Sequence, residues 1–209
     1  MTPQVLLLDF DGLVRHWRDS GAREGERLAG LPAGALDIAY RLPEYQLAQL
    51  GVLTDGQWAA AVRARVIARH GPAAQAAIGP WRADRGQIDH QMLSLVQAAR
   101  RHVPVAILSN TTSAFHADLC LHGLSGAFDA VYTSAALGVA KPAPAAYLAV
   151  AAALGTSPGQ VFFADDEMIH VRGARHTGMQ AEHFTSPARL AAALARAGLP
   201  LAGLGSAAA

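Results

Sequence analysis

The sequence predicts an α/β fold, a Rossmann-like parallel sheet with an all-helical insert. Two observations carry this expectation. Three continuous apolar runs, each closing on polar residues, alternate with helical segments, and buried parallel strands read as unbroken apolar runs. A long stretch directly after the first run then breaks the alternation. The composition fits, because 209 residues that are 52% hydrophobic and 16% charged can fill a proper core and are too apolar for a disordered chain.

The first run, Val5 to Leu8, leads into Asp9-Phe10-Asp11-Gly12. From about Val14 to Gly86 no convincing strand is seen. Within it, Asp19 to Gly34 is rich in Gly, Arg and Glu and reads as a mobile loop. Leu42 to Leu50 reads as a short helix stopped by Gly51. Thr54-Asp55-Gly56-Gln57 has capping-box spacing, opening a helix with Trp58, Val62 and Val66 on one side and Gly71-Pro72 as its end. The alternation resumes with Met92, Leu95, Val96 and Ala99 on one helical face. The second run, Val103 to Leu108, ends in Ser109-Asn110. Ala130 to Tyr132 is a weaker strand, and Ala143 to Leu154 is a helix stopped by Gly155. The third run, Val161 to Ala164, ends in Asp165-Asp166. Gln180 to His183 is a last strand. Ser186-Pro187 caps a last helix that buries Leu190 and Leu194. The expected division is a core of residues 1–13 and 87–200, a helical cap of residues 14–86 and a flexible tail of residues 201–209.

Charge and composition remove several function classes. Seventeen basic residues against sixteen acidic ones leave a net charge of +1. With no long basic run, nucleic-acid and membrane-surface binding lose their usual support. No stretch approaches the roughly 20 apolar residues of a membrane span, and no charged region precedes the first apolar run as in a secretory signal. Cys120 is the one cysteine, so no internal disulfide can form. A cytoplasmic protein is expected. The apolar composition is compatible with a dimer through the cap, but nothing in the sequence specifies one.

Ligands in open α/β sheets bind beyond the carboxyl ends of strands, where the polar residues of this sequence collect. Asp9 and Asp11 are two positions apart and would point the same way from an extended strand. Such a pair either holds a hard divalent cation such as Mg²⁺ or caps the turn at Gly12. Asp165 and Asp166 form a second acidic pair, as metal ligands or as a helix N-cap. Capping accounts for one aspartate more readily than for four together. Ser109, Asn110, Thr111 and Thr112 offer groups suited to a phosphate, although Thr111 and Thr112 read better as caps. Lys141 is the only lysine, against sixteen arginines. It stands before Pro142 at an expected helix start, where a cation opposes the helix dipole, so a site explains it better than the surface does. Arg15, His16 and Trp17 belong either to a hinge or to substrate selection. His70, His90, His102 and His122 read as helix-end or surface residues.

The order Asp-Phe-Asp-Gly, Ser-Asn, Lys-Pro, Asp-Asp resembles the haloacid dehalogenase (HAD) superfamily over residues 4–12 and about 88–185. The insert is similar to its C1 helical cap. Phe162 to Asp166, running on to Gly178-Met179, is similar to the subgroup that includes the phosphatase domain of soluble epoxide hydrolases. The resemblance implies a Mg²⁺-dependent phosphatase of a small phosphorylated metabolite, acting through an aspartyl-phosphate. Asp9 would be the nucleophile, and Asp11 the general acid and then base, its carbonyl on the metal. Ser109 and Asn110 would bind the phosphoryl group, and Lys141 would bridge it to Asp9. Asp166 would ligate Mg²⁺, with Asp165 ligating it or holding a metal water. Haloacid dehalogenases of the superfamily lack the second carboxylate, so Asp11 points to phosphate chemistry. His170 departs from the pattern, standing where relatives usually carry Asp or Asn. A phosphomutase would share all four motifs, and a non-catalytic binding protein of this fold is the reading that His170 alone favours.

Overall fold

The computed structural model describes residues 2–199 and 201. The expected flexible tail, from residue 202 onward, lies outside these residues. Among the described residues seven strands occur in chain order: β1 (Val5–Leu8), β2 (Arg15–His16), β3 (Gln87–Ile88), β4 (Val105–Ser109), β5 (Ala130–Thr133), β6 (Val161–Asp165) and β7 (Gln180–His183). Five of them form one parallel sheet in the order β5-β4-β1-β6-β7. β1 is central, with Leu7 opposite Ala106 on one side and Phe163 on the other. Chain direction across the sheet reverses at β1, which places a ligand crevice outside the carboxyl ends of β1, β4 and β6.

Side-chain alternation divides the core into two layers. Leu6, Leu8, Val105, Ile107 and Phe162 pack on one face of the sheet against Met92, Leu95, Leu190 and Leu194. Leu7, Ala106, Leu108 and Phe163 pack on the other against Tyr147, Val150 and Ala174. The expected helices occur at Asp55–His70, His90–Ala99, Pro144–Ala153 and Pro187–Arg196. The Thr54 capping box and the Ser186 cap are both formed. Among the described residues no helix is long and apolar enough to cross a membrane.

The stretch after β1 has its own apolar cluster, centred on Leu36, Trp58, Val62, Val66, Ala77 and Trp81. Two expectations for it change. The segment read as a mobile loop contains a helix, Ser20–Leu28. Its glycines mark close packing rather than mobility: a Cβ on Gly25 would overlap the backbone of Ala77, and one on Gly21 the backbone of Pro80. Glu26 is buried there and accepts from Gly34 N and Leu36 N. The stretch also holds a strand after all, since β2 pairs antiparallel with β3, Arg15 opposite Ile88. This ladder ties the two chain segments that enter and leave the helical insert. It is two residues long on each side, too short to give a periodic signal.

Candidate active site

The carboxyl ends of β1, β4 and β6 converge on Lys141. Its side chain is fully buried, with Nζ 3.0 Å from Asp9 Oδ1 and 2.6 Å from Asp165 Oδ2. Asp9 directly follows β1, and Asp165 ends β6, the strand paired with it. Lys141 sits three positions before the helix Pro144–Ala153, not at its first turn. The side chain of Asn110 holds it in place. Asn110 Nδ2 donates to the Lys141 carbonyl and Lys141 N donates to Asn110 Oδ1, each at 2.8 Å. Asn110, expected near a phosphoryl group, therefore spends its amide on the lysine backbone.

Electrostatics follow from burial. Burial pushes the Asp9 carboxyl up to about 7, against the charge of Lys141 and helped by Asp165. Burial acts the same way on Asp165, but the hydrogen bond from His170 and the charge of Lys141 outweigh it and hold that carboxyl below its ordinary value. Asp165 is thus the ionised anchor of Lys141. Its Oδ1 accepts from Glu167 N at 2.8 Å and lies 3.1 Å from His170 Nδ1, so both oxygens are engaged. Asp166 is raised by burial and by the neighbouring Asp165 charge. Its carboxylate packs against Gly12, where a Cβ would overlap it and where φ is +83°.

Asp11 lines the same cavity as Asp9, and its carboxylate takes partners of its own. The strand ends at Leu8, so period-two alternation no longer applies at Asp11. Its oxygens accept from Arg15 Nε at 2.7 Å, Arg15 Nη2 at 3.1 Å and Trp17 Nε1 at 2.8 Å. Arg15 is the structural centre of this side of the site. It is buried, also donates to Asp118 Oδ2 at 2.9 Å, and lies over the rings of Phe10, Trp17 and Phe115. The sequence named Arg15 only as hinge or selector, because one arginine among sixteen carries no signal for burial.

These groups open into one cavity of about 580 Å³ between the sheet and the helical insert. Asp9, Asp11, Ser109, Asn110, Asp166 and His170 line its floor. Ser109 is buried at the end of β4. Thr112, read as a helix cap, accepts from Ala114 N at 3.4 Å just before the helix Phe115–Leu121 and also donates to Asp55 Oδ1 of the insert at 2.7 Å, and Asp55 pairs with Arg82 at 2.6 Å. His122 contacts the Arg85 carbonyl and His16 contacts Asp89.

Which residues could hold a divalent cation follows from the donor set. Asp9 and Asp166 are carboxylates on the cavity floor whose ionised forms burial disfavours, and a cation would relieve both. Asp9, Asp165 and His170 also each offer a ligand atom within 4.8 Å of one another. Hard oxygen donors at a partly buried point fit Mg²⁺.

Comparison with known proteins agrees with this fold. Residues 80–178 match the haloacid dehalogenase-like hydrolase family, a hydrolase family. The matched stretch contains Ser109, Asn110, Lys141, Asp165 and Asp166, while Asp9 and Asp11 precede it. The match covers just under half of the 209 residues. A phosphatase of Mycobacterium tuberculosis (strain CDC 1551 / Oshkosh), MT3486, is 40% identical over 90 residues. That match spans 42% of this chain and 42% of the phosphatase, well under two thirds of its length. A HAD family enzyme from Bacteroides thetaiotaomicron, bt-2542, solved with magnesium and inorganic phosphate, superposes with a TM-score of 0.71 at 21% identity, covering 88% of this chain and 95% of that one. The L-2-haloacid dehalogenase of Xanthobacter autotrophicus superposes with a TM-score of 0.59 at 21% identity, covering 87% and 77%.

Proposed function

We propose that the chain is a Mg²⁺-dependent phosphatase of a small phosphorylated metabolite, acting through an aspartyl-phosphate on Asp9, with residues 14–86 as a C1-type cap over a core of residues 1–13 and 87–200. The observation that carries this is the buried Lys141 ammonium held between Asp9 and Asp165. A lysine closed off from solvent between two carboxylates leaves one of them, Asp9, facing a cavity. It holds that carboxylate in place and offsets charge where a phosphoryl group would arrive.

In the first step Asp9 attacks phosphorus, the bond from phosphorus to the ester oxygen breaks, and the leaving oxygen takes a proton from Asp11. In the second step Asp11 takes a proton from water, the hydroxide attacks phosphorus, and the bond to Asp9 breaks. One water is consumed, one phosphate and one alcohol are released, and Asp11 is again protonated. For the first step the Asp11 carboxyl must turn from Arg15 and Trp17 toward the ester oxygen. Ser109 lies at the end of β4 to receive the phosphoryl oxygens, and Asn110 keeps Lys141 in register. Mg²⁺ held by Asp9, Asp166 and the Asp11 carbonyl would supply positive charge against the phosphoryl oxygens. The name of the mycobacterial phosphatase and the magnesium and phosphate bound by the Bacteroides enzyme support this reading. Asp11 favours it over dehalogenation, since a departing halide needs no proton donor.

The test is phosphate release from a panel of phosphate esters with Mg²⁺ and after exhaustive chelation. Turnover should need Mg²⁺ and vanish in Asp9→Asn. Activity in a clean Asp9→Asn preparation within tenfold of the native rate would refute the assignment.

A further inference from the structure

We infer that the leaving group of the substrate carries a planar aromatic ring and no second negative charge. The inference rests on the phosphatase reading and deepens it.

Part of the cavity wall is aromatic. Trp58 and Trp81 meet edge to face at 5.4 Å and are almost buried. Tyr45 packs on Trp58 at 4.9 Å, and Tyr40 packs on both Tyr45 and Trp58 at 5.3 and 5.8 Å. Burial among these rings explains Trp58 and Trp81 as core of the insert. It does not explain Tyr40, which leaves 51% of its surface open, or Trp17, which leaves 42% open on the same cavity. Trp17 is held rather than loose. Beyond the Nε1 bond to Asp11, which the first step would release, the Arg15 guanidinium lies 4.5 Å from its ring centroid and is itself anchored by Asp118. Two aromatic surfaces fixed in a concave site are suited to a flat ring, which gains area burial plus offset or edge contacts.

Charge narrows the class. The arginines on the cavity wall pair with carboxylates: Arg15 with Asp11 and Asp118, Arg82 with Asp55 at 2.6 Å, and Arg85 with Asp118 at 3.3 Å. Asp19 and Asp84 add negative charge to the same wall. Among the described lining residues each arginine already pairs with a carboxylate, and the carboxylates outnumber the arginines. An anionic tail would enter a site of its own sign, which costs affinity. The volume of about 580 Å³ has room for a ring system beside the phosphoryl group.

The experiment compares binding with turnover in the native protein. Calorimetry with Mg²⁺ measures the affinity of 2-naphthylmethylphosphonate, cyclohexylmethylphosphonate and 4-carboxybenzylphosphonate, which cannot be hydrolysed. The naphthyl compound should bind about tenfold more tightly than each of the others. In Tyr40→Leu the ratio of naphthyl to cyclohexyl affinity should collapse toward unity. Tyr40→Phe should keep it, since the ring and not the hydroxyl makes the contact. Equal affinities in the native protein, or a ratio unchanged in Tyr40→Leu, overturn the inference. Turnover of acetyl phosphate is followed in parallel. Turnover without ring preference removes only the ring, whereas ring preference without any turnover keeps the ring and removes the phosphatase reading.

Discussion

Replacing Lys141 by arginine keeps the charge and changes only its shape, so it isolates what the position requires. The ammonium has two carboxylate oxygens at 3.0 and 2.6 Å and no exposed side-chain surface. It also lies 5.5 Å from the Phe163 ring centroid, beside a core that includes Tyr147. A guanidinium is wider, cannot converge on two oxygens from one point, and carries five donors. Overpacking costs about 1–3 kcal/mol, and each donor left without a partner costs a further ~1–3 kcal/mol. Lys141→Arg should therefore lose on the order of 2–5 kcal/mol of stability. Its kcat should fall by about two orders of magnitude or more, with less change in KM, as for loss of a preorganised electrostatic contact. The assay is kcat on a generic phosphate ester, with urea unfolding on the same preparations. The exposed Arg101→Lys serves as control. If the arginine variant folds too poorly to assay, Lys141→Met supplies the second measurement. It fills similar space, removes the charge and should leave less than a hundredth of the native kcat. A kcat within threefold of native in either folded variant would refute the reasoning.

Two further outcomes follow from the same geometry. In metal-free protein, Asp9→Asn should be more thermally stable than the native chain, and the gain should widen with pH. The folded-state pKa of about 7 lies above the ordinary value of 3.8, so the native fold binds the Asp9 proton more tightly than the unfolded chain does. Its stability then falls as pH rises between these values, a loss the amide lacks. Melting at about pH 5 and about pH 8 checks this, and a gain that shrinks with pH would contradict it. Gly12→Ala should weaken Mg²⁺ binding at least tenfold by displacing the Asp166 carboxylate and straining a backbone with φ of +83°. Calorimetric titration with Mg²⁺ reads this directly, and native affinity would count against Asp166 as a ligand.

The sequence by itself determined the sheet. Val5–Leu8, Val105–Ser109 and Val161–Asp165 are apolar without alternation up to the polar residues that close the last two, because both faces of these strands are covered, and that pattern is local in the chain. It also singled out Lys141, because a lone lysine in an arginine-rich chain is a compositional fact. Only the tertiary structure decided what these residues touch. Asp11 accepts from Arg15 and Trp17, partners that side-chain alternation along a strand does not name. Asp165 anchors Lys141, and Asn110 holds the lysine backbone, across separations of 24 and 31 residues that no local pattern encodes. The helix Ser20–Leu28 was hidden because glycine has low helix propensity, while its value here is to let Gly25 approach Ala77. Propensity is summed along the chain, whereas close packing is decided by a neighbour about 50 residues away, and only the folded structure contains that neighbour.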